Sequence, residues 1–154
     1  MHFLLRKTCK YLSELGENYF YLIHIKHHKN VNLIIFEVIM SNTFIFHNPR
    51  CSKSRKTLEL LKQSGVDFEV RLYLQDPPNV NELNALLQIL EIEPRSLMRV
   101  DEDEYDINDL ENQQDRNALI GAMVSHPILI QRPIVVHNGK ARIGRPPEAI
   151  LEIL

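Results

Sequence analysis

One of the two cysteines in this 154-residue chain lies in HNPRCSKSRKTLELL, between a proline-arginine pair and the start of a helical pattern. A thiol reacts as its thiolate, and a free cysteine with a pKa of about 8.5 is mostly protonated at neutral pH. The unpaired N–H groups and the dipole of a helix N-terminus favour an anion. Arg50, Lys53 and Arg55 add positive charge nearby. We therefore predict a strongly lowered pKa for Cys51 and a role as nucleophile.

Three further arginines are candidates for binding the substrate of such a nucleophile: Arg99, Arg132 and Arg145. A helix start that attracts a thiolate also attracts a tetrahedral oxyanion. Arginine suits an oxyanion because its planar fork donates two parallel hydrogen bonds and stays charged. Arg132 and Arg145 flank a predicted two-residue hairpin, so they can converge. Arg99 would approach from a helical insert.

The elements that position Cys51 follow from the local pattern. Residues 42–47, NTFIFH, alternate as in a strand, and residues 51–65 form a helical pattern that Gly65 ends. The run FEVRLYL at 68–74 alternates strictly and predicts a second strand, with one side formed by Phe68, Val70, Leu72 and Leu74. Strand, helix and strand predict a parallel βαβ unit.

A helical segment follows this unit. Asn79 and Glu82 form an Asn variant of the capping box before leucines at helical spacing. From Pro94 to His126 the helical pattern is broken, and eight acidic residues lie between Asp101 and Asp115. We interpret this acidic run as a solvated rim and expect Arg95 and Arg116 to pair with it.

The C-terminal part combines a hairpin with a short helix. PIVV at 133–136 and KARI at 140–143 flank the pair Asn138-Gly139, a two-residue hairpin signal. PPEAILEIL then predicts a short helix with proline in its first turn. The order β-α-β, helical insert, β-β-α predicts an α/β protein with a thioredoxin-like fold and a four-stranded mixed sheet.

Composition fits one globular domain, with 44% hydrophobic and 25% charged residues and a formal net charge of −2. This charge does not favour nucleic acid or a membrane surface as a partner. Two cysteines cannot make a disulfide framework, which favours a reducing cytoplasm. The apolar stretch VNLIIFEVIM is too short to span a membrane and carries Glu37.

The first 39 residues differ from the rest of the chain. All eight prolines of the sequence lie after Met40. The upstream segment shows no sustained helical or strand period. We predict that residues 1–39 are a weakly ordered extension or a start-codon artefact, and that the domain comprises residues 40–154. The run HIKHH at 24–28 has no partner cluster, so no metal site is predicted.

Five blocks carry a family resemblance, in order and spacing: FHNPRCSKSRKTLELLKQSGV, YLQDPP, LMR, HPILIQRPIVV and GRPPEAILEIL. They resemble the glutaredoxin-linked arsenate reductases of the ArsC family, over nearly all of residues 42–154. The branch with NPRCSKSR is the most similar. The resemblance implies that Cys51 is catalytic, that Arg99, Arg132 and Arg145 bind the oxyanion, and that His47 supports the cysteine.

The resemblance also implies a reaction. The thiolate attacks arsenate, glutathione attacks the adduct, and glutaredoxin resolves the mixed disulfide with release of arsenite. No metal or bound cofactor is required, and glutathione is a co-substrate. Ser54 gives Cys-x-x-Ser without an adjacent resolving thiol, so an external thiol must supply the electrons. Cys9 is a much weaker candidate for resolution.

Three further positions have supporting interpretations. Arg55 can lie over the first turn of the helix. Pro133 occupies the position where thioredoxin-like folds place a cis proline facing the cysteine. His47 either orients the cysteine loop and tunes its thiolate, or caps backbone groups.

Two other functions stay open. A regulator of the Spx type shares the fold and binds RNA polymerase, but such chains generally carry Cys-x-x-Cys and lack the arginine matching Arg145. A glutathione-linked reductase of another substrate is the second alternative. Ser52 and Lys53 stand where the best-known arsenate reductases have Gly-Thr, which bears on substrate preference.

Overall fold

The computed structural model describes residues 43–154 of the chain. Its first three elements are β1 (Phe44–Phe46), α1 (Ser52–Ser64) and β2 (Glu69–Arg71). β1 and β2 run parallel, so the predicted βαβ unit is confirmed with shorter strands than the sequence suggested. Gly65 ends α1 with φ of 73°, the left-handed conformation that glycine adopts without steric strain.

Four helices form the insert between β2 and the hairpin. They are α2 (Val80–Leu90), α3 (Pro94–Leu97), α4 (Asp103–Ile107) and α5 (Arg116–Ser125), followed by a 3-10 turn at Pro127–Leu129. The predicted capping box starts α2. The side chain of Asn79 accepts from the main-chain N–H of Glu82, whose carboxylate accepts from the N–H of Asn79.

The hairpin consists of β3 (Ile134–His137) and β4 (Lys140–Ile143). Its loop residues Asn138 and Gly139 both have positive φ, 45° and 76°, as the predicted primed turn requires. The last helix, Pro147–Ile153, is a 3-10 helix. The two prolines at 146 and 147 cannot donate hydrogen bonds, and the seven-residue segment leaves little length for α-helical pairing.

The sheet has the strand order β2-β1-β3-β4, with β1 parallel to β2 and antiparallel to β3. Alternate side chains of the central strands enter two cores. Ile45 and Val135 pack with Leu61 of α1, whereas Phe46 and Ile134 pack toward the insert. The predicted α/β class with a four-stranded mixed sheet is confirmed.

The second predicted strand buries the side opposite to the one that its apolar alternation indicated. Val70 and Leu74 are exposed, whereas Arg71 and Tyr73 are buried. Arg71 can be buried because Glu82 of α2 receives its guanidinium in two hydrogen bonds, of 2.8 and 3.3 Å. A buried charge is tolerated where it is paired in this way.

Several predictions fall outside the described residues. They concern the extension 1–39, the Met40 boundary, Cys9 and the HIKHH run. They stay predictions. No helix within residues 43–154 is long and apolar enough to cross a membrane.

Candidate functional site

The cysteine loop joins the carboxyl end of β1 to the start of α1. The main-chain carbonyl of Asn48 accepts from the N–H of Cys51 at 3.0 Å, and its side-chain Oδ1 accepts from the N–H of Arg50 at 2.9 Å. The fully buried Ser54 accepts from the N–H of Asn48 through Oγ at 3.2 Å. These bonds fix the loop, and they assign Asn48 a structural role that the sequence analysis did not single out.

Arg55 reaches back from α1 over the same loop. Its Nη1 donates to the main-chain carbonyl of Pro49 at 2.9 Å. This placement agrees with the predicted position over the first turn. Because the guanidinium is exposed and bonded to the loop, Arg55 helps to hold the loop against the helix.

Cys51 itself is the N-cap residue of α1 and is partly buried. Burial is the largest influence on its thiol and alone would raise the pKa. The main-chain N–H groups of Ser54 and Lys53, followed by the guanidinium groups of Arg132 and Arg145, act in the opposite direction. Together they outweigh burial, so the pKa of Cys51 is lowered. The predicted direction of this shift is therefore the one that the structure gives.

Arg99 reaches the site through contacts that are distant in sequence. Residues 97–99 run antiparallel to residues 129–131. The N–H of Arg99 donates to the carbonyl of Leu129 at 2.7 Å, and the N–H of Gln131 donates to the carbonyl of Leu97 at 2.8 Å. This pairing places Arg99 beside the segment that leads into Arg132.

The three arginines lie close enough to influence one another. Burial, followed by the positive charges of Arg132 and Arg145, lowers the pKa of the Arg99 guanidinium. Arg145 also donates from Nε to the main-chain carbonyl of Arg132 at 3.0 Å. The structure thus brings the three arginines together, and two of them, Arg132 and Arg145, lie close enough to Cys51 to act on its thiol.

Two acidic side chains of the insert contact this cluster. Glu102 Oε1 lies 3.5 Å from Arg132 Nη2 and also contacts Arg99 Nη1. Asp101 Oδ2 lies 3.1 Å from Arg99 Nη2. The acidic run is therefore not a solvated rim throughout. Glu102 is 21% exposed and lies in the arginine cluster, whereas Asp101 is 71% exposed, as the predicted rim requires.

Surface ion pairs were expected for the other two arginines of the insert, and one of them, Arg116, has an acidic partner while Arg95 has other partners. Arg95 donates to Tyr105 Oη and to the main-chain carbonyls of Leu110 and Gln113, rather than to an acidic side chain. Its guanidinium thereby closes the loop after α4. Arg116 makes a long contact of 3.9 Å with Glu93.

Tyr73 is a site residue that sequence reasoning missed. It is fully buried, and its hydroxyl lies beside the guanidinium of Arg132. Burial raises the pKa of Tyr73, while the nearby Arg132 and Arg99 guanidinium groups oppose that shift. Its position in the YLQDPP block could have indicated a functional role. The apolar alternation instead predicted that the opposite side of the strand is buried.

His47 lies under the cysteine loop and is almost completely buried. Burial is the main cause that lowers the pKa of its imidazole, and the charges of Arg55 and Lys62 lower it further. Its main-chain N–H donates to the carbonyl of Arg71 at 2.9 Å, which ties β1 to β2. The proposed tuning of the thiolate by His47 stays a prediction.

Pro133 is preceded by a cis peptide bond, as the resemblance implied, and a second cis bond precedes Pro146. The carbonyl of Pro133 accepts from the N–H of Gly144 at 2.8 Å. Gly144 packs so closely that a Cβ there would lie 2.7 Å from Thr57 Oγ1 and 2.8 Å from Pro133 Cγ. This contact joins the hairpin that carries Arg132 and Arg145 to the helix that begins after Cys51.

Within residues 43–154, no group of three or more His, Cys, Asp or Glu side chains is arranged to hold a metal ion. Cys51 is the free cysteine of this part of the chain. The arrangement offers a thiol with a lowered pKa and three guanidinium groups. Chemically, it can bind an oxyanion and attack it with sulfur.

Comparison with known proteins gives consistent matches over the same region. A model of the ArsC family matches residues 46–153. The uncharacterized protein YfgD of Escherichia coli K12 is 56% identical over 112 residues, which are 71% of this chain and 94% of that protein. An arsenate reductase of Neisseria meningitidis strain Z2491 is 47% identical over 112 residues, which are 71% of this chain and 96% of that protein.

A solved structure of an arsenate reductase from Vibrio cholerae is also similar. It has 50% sequence identity and a TM-score of 0.71, and the match covers 74% of this chain and 98% of that one. The likeness agrees with the predicted thioredoxin-like fold.

Proposed function

The chain belongs to the ArsC family, and we propose that it is an arsenate reductase with Cys51 as its nucleophile. The observation that carries the proposal is the position of Cys51 at the start of α1, where Arg132 and Arg145 lie close enough to lower the pKa of its thiol. Cations that stabilise a thiolate are suitably placed to bind the anion that the thiolate attacks. Relatives at 47% identity that are named arsenate reductase support the choice of arsenate.

The first step joins the nucleophile to the substrate. The Cys51 thiolate attacks the arsenic(V) atom and forms a sulfur–arsenic bond. One arsenic–oxygen bond breaks, and that oxygen leaves as water after protonation. Arg99, Arg132 and Arg145 hold the remaining oxygens and stabilise the negative charge that accumulates during the attack.

The second step supplies the electrons. A glutathione thiolate attacks the sulfur of Cys51, the sulfur–arsenic bond breaks, and its electron pair reduces arsenic to arsenic(III). Arsenite leaves, and Cys51 remains in a mixed disulfide with glutathione. A glutaredoxin thiolate then attacks the glutathione sulfur and releases the Cys51 thiolate. The motif Cys51-x-x-Ser54 supports this use of external thiols because it provides no adjacent resolving cysteine.

A reducing compartment with abundant glutathione is required for this cycle, so we further propose that the protein works in the cytoplasm. The proposed cycle uses no bound metal or organic cofactor. Its partners are arsenate, glutathione and a glutaredoxin.

The test is a coupled assay in which NADPH oxidation is followed with glutathione, glutathione reductase and glutaredoxin, with arsenate as the variable substrate. The full-length wild type is expected to turn over arsenate, and Cys51→Ser is expected to be inactive. Cys9→Ser is the matched control and should retain wild-type turnover. Omission of glutaredoxin alone should prevent sustained turnover.

Two results would contradict the proposal. The first is wild-type protein that oxidises no NADPH with arsenate although the coupling enzymes are active. The second is arsenate turnover that survives in Cys51→Ser. The first result would favour another substrate or a regulatory role, and the second would mean that Cys51 is not the nucleophile.

A further inference from the structure

Glu102 occupies a position that an oxyanion substrate would be expected to take. Its Oε1 contacts Arg99 Nη1 and lies 3.5 Å from Arg132 Nη2, so one carboxylate oxygen is shared by two of the three candidate arginines. The side chains of both arginines are about one-tenth exposed, and that of Glu102 is 21% exposed. The contact therefore lies inside the site and not at its rim.

The carboxylate of Glu102 is engaged with the arginines and not with its own helix. Glu102 is the N-cap residue of α4, and its side chain makes no capping hydrogen bond. Glutamate is not among the residues that usually cap a helix in this way. The carboxylate is therefore available for charge-assisted contacts with the two guanidinium groups.

Charge balance makes simultaneous binding unfavourable. Three guanidinium groups balance a thiolate and a doubly charged oxyanion. A retained Glu102 carboxylate would add a further negative charge next to the substrate oxygens, in a partly desolvated site where like charges repel strongly. The substrate must therefore displace the carboxylate from at least one arginine.

Resting on the function proposed above, we propose that Glu102 is an internal competitor that sets the affinity of the site for its oxyanion. It holds Arg99 and Arg132 in the empty site and withdraws when substrate binds. The apparent dissociation constant then equals the intrinsic one divided by the fraction of time that the arginines are free. This factor is the same for every oxyanion, so the affinity of the site falls for all of them without a change in their order.

The test measures binding without chemistry. In full-length protein with Cys51→Ser, the dissociation constant of inorganic arsenate is measured by isothermal titration calorimetry with and without Glu102→Gln. Glutamine keeps the size of the side chain and removes its charge. We expect about tenfold tighter binding, which corresponds to a carboxylate that holds the arginines for about nine-tenths of the time.

Two further variants test whether the change in affinity depends on contact with the arginines. Asp101→Asn removes a carboxylate that contacts Arg99 alone and is 71% exposed, so it should tighten binding by less than Glu102→Gln. Glu104→Gln removes the same charge from the same short helix without a contact to these arginines and should leave binding unchanged. Thermal denaturation of each variant checks that the fold is intact.

The outcomes separate this inference from the proposed function. Unchanged binding in Glu102→Gln overturns the competition. Weaker binding also overturns it and would mean that the carboxylate orients the arginines or accepts a hydrogen bond from the substrate. Both results leave the oxyanion site in place. Absence of binding in every variant would overturn the site and the competition together.

Discussion

Arg145 donates a hydrogen bond from Nε to the main-chain carbonyl of Arg132 at 3.0 Å. The bond joins the two ends of the β3–β4 hairpin, and it leaves the two terminal nitrogens of Arg145 for an anion. A lysine could not make both interactions, because its single ammonium is a point charge without the planar fork. The contact thus lets Arg145 support the hairpin end while its terminal nitrogens are available for the proposed oxyanion.

Replacement of Arg145 should therefore affect the thiol as well as the substrate. For Arg145→Ala we expect kcat/KM for arsenate to fall by about 10², from the loss of about 2–3 kcal/mol of charge-assisted contact. The pKa of Cys51 should rise, because Arg145 is one of the charges that lower it. Arg145→Lys should restore part of the thiol pKa but little of the activity.

The matched control is Arg142→Ala on the same hairpin. Arg142 is exposed and pairs with Glu152 through contacts of 2.7 and 3.0 Å, away from the arginine cluster. Its kcat/KM should equal that of the wild type. An Arg142 variant that loses as much activity as Arg145→Ala would show that the hairpin fold, and not the guanidinium, is responsible.

The thiolate of Cys51 should make stability depend on pH. Its pKa is lowered in the folded protein, so folding favours the ionised form. This contribution is fully present above the unfolded-state pKa of about 8.5, and it is lost as the pH falls through the lower folded-state value. The free energy of unfolding of wild type, minus that of Cys51→Ser, should therefore rise with pH across that interval.

Urea denaturation at a series of pH values measures this difference. The rate of alkylation by iodoacetamide gives the folded-state pKa independently, since only the thiolate reacts. The two measurements should define the same lower limit of the interval. An alkylation pKa at or above 8.5 would contradict the assignment of Cys51 as the nucleophile.

Local signals in the sequence were sufficient to predict much of this architecture. Gly65 ends a helix in the left-handed conformation, the pair Asn79 and Glu82 caps another, and Asn138-Gly139 makes a primed turn. Each signal acts through backbone hydrogen bonds or sterics within a few residues, so it is legible without tertiary contacts. The position of Cys51 at a helix start belongs to the same class.

The composition of the site beyond Cys51 depends on contacts that are distant in sequence. Glu102 enters the arginine cluster because residues 97–99 pair with residues 129–131. No local pattern distinguishes it from the other acidic residues of the run. Tyr73 was missed because it lies on the same side of the predicted strand as Arg71. That side can be buried because Arg71 pairs with Glu82, and an alternation of apolar residues gives no sign of such a pair.

The buried pair of Arg71 and Glu82 should contribute strongly to stability. Glu82→Ala leaves a buried guanidinium without its main partner, and breaking such a pair typically costs about 3–5 kcal/mol. Asn79→Ala is the control, because it removes only the cap of the same helix and should cost about 1 kcal/mol. Urea denaturation measures both. Similar losses in the two variants would mean that the ion pair contributes little beyond the capping box.

Close packing at Gly144 links the β3–β4 hairpin to α1, so an added methyl group should disturb both. A Cβ at this position would lie 2.7 Å from Thr57 Oγ1 and 2.8 Å from Pro133 Cγ, which forces one of them to move. We expect Gly144→Ala to lower the free energy of unfolding by about 1–3 kcal/mol, as overpacking generally does. Gly121→Ala is the matched control, because beyond its chain neighbours and its own helix backbone no atom of the described residues lies within 4 Å of its Cβ position, and helix α5 gains by losing a glycine. Thermal denaturation should show opposite shifts for the two variants, and a Gly144→Ala protein as stable as the wild type would mean that the hairpin and α1 are not tightly joined there.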